Sequence, residues 1–344
     1  MQSARFHKVG EPLKIEQSET PQPGKKEALV RVRAASICHS DVHVTTGVLV
    51  AKPPVTLGHE IAGEVEQVGS EVDSTKKGDR VVVYFLTPCG DCDMCIRGRQ
   101  GVCRNIGAGP MYGFSADGGY ADYIKVDSRQ LVQLPQNVPF EFGASLGCAG
   151  ITAFHAVSAV ARVQLGDRVA VYGTGGVGMY VLQLARLAGA STTIAIGRTD
   201  EKLKMAQDIG SADAAVNITK EKLRDSVKAI TSARGLDVVF DFVGSTESID
   251  SSLRLLANSG RLVLVGVNDS PATVNPKIFA LKEVSMAGSF VGTKRELQTM
   301  AELAGKGRLK GVVNTNHRYR LDQVNEALNA LKEGKVVGRA CVIP

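Results

Sequence analysis

The chain has no tryptophan, and aromatic residues fill only 5% of its 344 positions. No pocket here is lined by an indole, and a base-stacking surface has few side chains to draw on. No stretch of about 18 residues, the length a bilayer-crossing helix needs, is apolar without a break. The nearest candidate, 169–197, is interrupted by Arg186 and a cluster of glycines. The 41 basic and 35 acidic residues are interleaved with no block of like charge, which argues against a nucleic-acid-binding arm or a polybasic membrane patch. The opening segment, MQSARFHKVGEPLKIEQ, lacks the apolar core of a secretory signal. These absences predict a cytoplasmic protein that engages neither nucleic acid nor membrane.

The rest of the composition is that of a globular enzyme-sized chain. Hydrophobic residues make up 44%, glycines number 37, and the length suits two domains. Up to about residue 150, β-branched or alternating segments (28–37, 61–69, 80–86 and 120–126) are separated by Gly, Pro and Asp clusters, predicting a mostly antiparallel β domain. Then the pattern changes. Strands at 168–173, 192–196, 214–218, 236–244 and 260–267 alternate with helices at 178–189, 200–209, 220–232 and 246–257, the rhythm of a parallel sheet covered on both faces. A last strand, 338–344, is placed to return to the first domain. The predicted architecture is α/β, with domain boundaries at 1–150 plus 290–344 and at 151–289.

GTGGVG, residues 173–178, fits G-x-G-x-x-G between a buried strand and a helix. In that context Gly173, Gly175, Gly176, Val177 and Gly178 read as a dinucleotide-binding turn, with phosphates facing the free N–H groups of the helix start. The acidic residue expected about 20 positions on, to bind the ribose 2′-hydroxyl, is missing. Gly197 stands there and Arg198 follows. Losing a carboxylate removes repulsion toward a 2′-phosphate, and the arginine offers it a partner, so NADP is favoured over NAD. A solvated arginine with NAD still bound is the alternative. Thr199 either caps the next helix or touches the phosphate.

Four of the seven cysteines, Cys89, Cys92, Cys95 and Cys103, lie in one polar loop with spacing C-x2-C-x2-C-x7-C. In a reducing compartment this points to a metal, and four thiolates suit a closed, structural zinc site. Disulfides are disfavoured by compartment. An iron–sulfur cluster is disfavoured because the fourth cysteine is not three residues on and followed by proline. A nucleic-acid-binding zinc ribbon lacks aromatics to stack on. A second set is scattered: Cys38, His39, Asp41 and His43, then His59 and Glu60, then Cys148 and His155. Cys2His plus an open position is a known catalytic zinc set, but spacing alone does not show that these residues converge.

The segment GHEIAGEVEQVGSEV carries G-H-E-x2-G-x5-G-x2-V at Gly58, His59, Glu60, Gly63, Gly69 and Val72. With the four-cysteine lobe, YGTGGVG and the terminal VGRACV in the same order, the whole chain resembles the zinc-dependent alcohol dehydrogenases of the medium-chain dehydrogenase/reductase superfamily. That resemblance implies a GroES-like catalytic domain and a doubly wound Rossmann domain. It implies that Cys38, His59 and Cys148 hold a catalytic zinc, with Glu60 an occasional ligand and Asp41 orienting His59. It implies that Ser40 takes the substrate proton and His43 passes it on. His39, Thr152 and Arg339 would touch cofactor phosphates or nicotinamide, Lys202 the adenosine ribose, and Phe85 the substrate. His155 has no role in the pattern.

The function expected is interconversion of an alcohol with an aldehyde or ketone by hydride transfer, with two zinc ions per chain and NADP(H), chiefly as a carbonyl reductase. A polyol or sugar dehydrogenase using NAD is the nearer alternative, though many of these carry Glu where Cys148 stands. A non-enzymatic zinc-stabilised nucleotide binder is the other. A homodimer or homotetramer is expected, with 285–292 as an edge able to pair across a two-fold axis.

Overall fold

A computed structural model describes residues 1–209, 211–268 and 271–344. The chain forms two compact units, Met1–Ile151 with Gly292–Pro344, and Thr152–Val291. The first unit holds a seven-stranded sheet. Its strands run Val313–Arg320, Arg339–Ile343, Glu27–Ser36, Glu60–Val68, Arg80–Val83 and Leu131–Gln133, with Tyr123–Asp127 also paired to Glu27–Ser36. All pairs are antiparallel except Val313–Arg320 with Arg339–Ile343. Glu27–Ser36 has partners along both edges and is buried over most of its length, as its run of Ala, Leu and Val requires. The C-terminal strand lies in this sheet, beside Glu27–Ser36.

The second unit is a six-stranded parallel sheet in the order Ala214–Asn217, Thr192–Gly197, Arg168–Tyr172, Leu236–Asp241, Leu256–Leu264 and Ser285–Gly288. The first strand in sequence sits third, so the strand order reverses beside it, and the glycine turn follows that strand. The core is aliphatic: Ala170, Ile194, Ile196, Val216, Val239 and Leu262 are almost wholly buried.

One helix is shorter than the periodicity predicts. The helix read at 220–232 is Leu223–Ile230. Asn217 Oδ1 accepts from the backbone N–H of Thr219 at 3.0 Å and from its hydroxyl at 2.7 Å, which holds the preceding residues in a turn. The segment 169–197, read in the sequence as the nearest to a bilayer span, is strand, helix and strand, as its periodicity predicts, and is not the most span-like stretch. Among the described residues the helix apolar and long enough to cross a membrane is Phe140–Ala161, and 72% of its apolar window is buried inside the protein, as in a core helix.

Candidate functional site

Three local devices in the first unit bring donor atoms together. Cys38 is the N-cap of the helix His39–Thr46, and its backbone N–H donates to Asp41 Oδ2 at 3.0 Å. His59 follows Gly58, whose φ of +88° is open to glycine at little cost and whose absent side chain makes room for the Tyr120 ring. Cys148 sits in a π-helical turn, Leu146–Gly150, a backbone irregularity that often marks functional sites. The result is that donor atoms of Cys38, His59, Glu60 and Cys148, all buried, lie within 4.8 Å of one another.

His59 shows what such a cluster is built to hold. Its Nδ1 lies 3.2 Å from Asp41 Oδ1. Its Nε2 is buried and has no hydrogen-bond partner. An unmet imidazole nitrogen facing two thiols fits a bound metal, since a ligating histidine usually has its other nitrogen on a carboxylate. Burial works against the charged imidazole, but the Asp41 carboxylate and the Cys38 sulfur overcome it and raise the pKa to about 10. Cys38 is held well below the usual thiol range, chiefly by its hydrogen bond with Cys148, with Arg339 and His59 adding to the effect.

Of the other residues singled out in the sequence, Ser40, Arg339 and Phe85 lie against this cluster. Cys38 Sγ lies 3.6 Å from Ser40 Oγ, and His43 is half-buried one turn on, its ring 6.4 Å from that of exposed His39. Arg339 donates to the Glu60 carboxylate and, at 3.1 Å, to the Ile37 carbonyl. Phe85 packs its ring 5.0 Å from His59. Thr152 is buried, the first residue of the second unit. His155 is half-buried.

Two residues were missed. Phe114 lies 4.9 Å from the His59 ring, on loop backbone that no periodicity marks. Tyr120 is wholly buried and donates its hydroxyl to Asp41 Oδ2 at 2.8 Å. Tyr120 read only as one residue of a predicted strand, 120–126. The strand instead begins at Tyr123, and Tyr120 reaches Asp41 from the preceding turn. The one available signal was the Gly118–Gly119 pair, which allows close approach to another segment.

The second donor set is the loop of Cys89, Cys92, Cys95 and Cys103, again within 4.8 Å. Sulfur separations of 3.4, 3.8 and 3.9 Å are far beyond a disulfide bond. They bracket the edge of about 3.8 Å expected for a tetrahedron with ~2.3 Å metal–sulfur bonds. Backbone N–H groups of Cys95 and Arg104 lower the Cys92 thiol to about 6. All four donors come from the protein, so no position is left for substrate.

In the second unit Gly173 turns with φ +98°, and the helix Gly176–Leu187 begins at once. A Cβ at Gly178 would lie 2.5 Å from the Gly173 carbonyl, whereas one at Gly175 would meet no protein atom. The helix is thus tight to the turn while the turn's outer side is open, as a pyrophosphate needs. Gly197 ends its strand beside this turn, its Cβ position 2.9 Å from Thr174 Oγ1. Arg198 is exposed and Lys202 half-buried. Burial, then the nearby Arg198 charge, push the Lys202 ammonium below its ordinary range. Asp200 is taken up by Lys220 and by Asn217, and the Glu201 charge offsets part of the effect on Lys202. Thr199 makes no capping hydrogen bond.

Comparison with known proteins agrees with both units. A model of the alcohol dehydrogenase GroES-like domain matches residues 24–136, and one of the zinc-binding dehydrogenases matches 176–306. An alcohol dehydrogenase of Geobacillus stearothermophilus is 33% identical over 343 residues, 98% of each chain. An NAD-dependent alcohol dehydrogenase of Sulfurisphaera tokodaii is 31% identical over the whole of both chains. The structure of a zinc-binding dehydrogenase of Sinorhizobium meliloti bound to NADP superposes with a TM-score of 0.89 at 29% identity, covering 100% of this chain and 99% of that one. The chain belongs to the zinc-binding alcohol dehydrogenases of the medium-chain dehydrogenase/reductase superfamily, and its chemistry is that of an alcohol-dehydrogenase-type oxidoreductase.

Two outcomes follow from this geometry. Tyr120→Phe removes one of the donors to Asp41 without opening a large cavity. Metal held by the Cys38 cluster should then be lost to a chelator about 10-fold more readily, while the four-cysteine cluster is unchanged; equal retention at both would contradict the role of the hydroxyl. In metal-free protein His59 should hold its proton through neutral pH, because its pKa is raised to about 10. Metal must displace that proton, so affinity at this cluster should rise with pH up to that value, by roughly tenfold per unit from this group alone. A competition titration, corrected for the chelator's own protonation, checks it; a flat profile would contradict it.

Proposed function

We propose that the protein is a zinc-dependent oxidoreductase that interconverts an alcohol with an aldehyde or ketone using NADP(H), and that it works chiefly as a carbonyl reductase. The observation that supports NADP is the end of the strand Thr192–Gly197. No carboxylate stands at 197, two cations, Arg198 and Lys202, lie close enough that the charge of the first lowers the pKa of the second despite Glu201, and Asp200 is neutralised elsewhere. A ribose 2′-hydroxyl would find no acceptor at 197, whereas a 2′-phosphate would find counter-charge. Relatives named as NAD-dependent and a relative solved with NADP both occur, so these residues carry the distinction. The NADP pool is mainly reduced in most cells, which favours carbonyl reduction.

When bound, zinc on Cys38, His59 and Cys148 supplies a Lewis acid for the substrate oxygen, and the nicotinamide gives or takes the hydride. Asp41 fixes His59 with Nε2 turned to the cluster. Glu60, paired with Arg339, is a further oxygen donor within reach. Ser40, beside Cys38, accepts the hydroxyl proton, and half-buried His43 hands it toward water, since an imidazole can both accept and donate a proton through its two ring nitrogens. Phe85 and Phe114 flank His59 and keep water from that side. Gly173, Gly175, Gly176, Val177 and Gly178 receive the pyrophosphate, with His39, Thr152 and Arg339 assigned to phosphates or nicotinamide. The four-cysteine lobe holds a second, structural zinc. A homodimer or homotetramer in the cytoplasm completes the reading; the edge strand Ser285–Gly288 is exposed along its length, with Phe290 exposed beside it.

Initial rates on an aldehyde panel with NADPH and NADH test the proposal. NADPH should be preferred. Arg198→Ala should lower kcat/KM for NADPH by about 10- to 100-fold, the worth of a charge-assisted hydrogen bond of roughly 1.5–3 kcal/mol, and change that for NADH little. Gly197→Asp should move preference toward NADH. Equal or better turnover with NADH in the unaltered protein would overturn the cofactor assignment and leave the oxidoreductase chemistry standing.

A further inference from the structure

The glycine turn and Gly197 occupy the C-terminal end of the parallel sheet. The opposite end, where Arg168, Leu236 and Leu256 begin their strands, forms a separate cleft of about 600 Å³. Six cations line it, Arg168, Arg224, Lys228, Arg234, Arg254 and Lys282, against one acid, Asp237. That acid is already used: its carboxylate accepts from the backbone N–H, Nε and Nη2 of Arg168, each at 2.8 Å. Arg254 is paired with Asp250 at 2.7 Å, and Lys282 donates to the Leu256 carbonyl at 2.8 Å. Arg224, Lys228 and Arg234 have no acidic partner within ion-pair distance among the described residues. Neither Asp225 nor Glu283, acids close in sequence, lines the cleft.

Helix dipoles explain part of this. Lys228, Arg254 and Lys282 lie in the last turns of their helices, where a cation is favoured. They do not explain why these converge with Arg224 and Arg234 on one concave surface. They also do not explain Arg168 Nη1, which is buried without a hydrogen-bond partner. A buried donor of that kind calls for an acceptor. Like charges gathered in a cleft with low-dielectric walls focus a field that concentrates anions. The chemistry of the donors narrows the class of anion. Two guanidinium groups not taken up by an acid, those of Arg224 and Arg234, offer planar forks that match phosphate oxygens, and with Lys228 between them in sequence they supply charge for more than one phosphate.

We propose that this cleft is a second anion site that binds an oligophosphate group, free or carried by a small molecule. It is distinct from the dinucleotide turn and does not depend on which nicotinamide cofactor the enzyme uses. The test is equilibrium dialysis of zinc-loaded, desalted holoprotein, saturated with NADPH, against phosphorus-32-labelled tripolyphosphate, counting bound label and retained zinc per chain. ATP in a parallel arm distinguishes a nucleotide-borne group from the free one. The expected result is one saturable tripolyphosphate site per chain with both zinc ions retained, weakened by salt and weakened at least 10-fold by Lys228→Glu or Arg234→Glu. Both residues are exposed, so neither change should disturb folding, and melting curves of the variants confirm that. Absence of saturable binding, or binding undiminished in both variants, would overturn the proposal.

Discussion

The Cys38 cluster turns on one buried carboxylate. Asp41 has no exposed surface, and an ionised group in that position is tolerated only with full compensation. It receives three: the Cys38 backbone N–H, the Tyr120 hydroxyl and the His59 ring. Each partner is thereby fixed in turn. The helix start that carries Cys38 and Ser40 is capped, the imidazole is held edge-on with Nε2 turned inward, and the segment before Tyr123–Asp127 is tied to the helix. Removing any of these leaves Asp41 short of a donor, so the donor atoms and their support are specified together rather than one at a time.

The two donor clusters illustrate opposite uses of the same chemistry. In the loop at 89–103 four sulfurs close a tetrahedron, and backbone N–H groups reach Cys103 from Cys89 and Asn105. Such a site can fold a loop but has nothing to offer a ligand. In the Cys38 cluster the fourth donor is a carboxylate whose partner is a buried arginine, and its Oε2 makes no hydrogen bond. That cluster thus mixes sulfur, nitrogen and oxygen donors, unlike the all-sulfur loop.

Much of this was legible in the sequence. The alternation after residue 150, the glycine turn and the cysteine spacing each depend on local chemistry, so residue order alone reveals them. Convergence of Cys38, His59 and Cys148 is not local: spacing left it open, and it entered through resemblance to a family. The π-helical turn at Cys148 has no sequence signature in a run of small and apolar residues. Tyr120 was invisible for a different reason. Its partner is 79 positions away, and only the folded chain shows that its hydroxyl meets Asp41. Helix ends were misplaced where a side chain captured backbone groups, as Asn217 does with Thr219.

The central claim is that the Asp41-supported cluster is a metal centre distinct from the cysteine loop. Anomalous diffraction from crystals of the purified protein, recorded on both sides of the zinc absorption edge, tests it most directly. The account predicts two zinc peaks per chain, one among Cys89, Cys92, Cys95 and Cys103 and one among Cys38, His59 and Cys148. A single peak in the cysteine loop, with His59 Nε2 facing an ordinary hydrogen-bond partner, would contradict it.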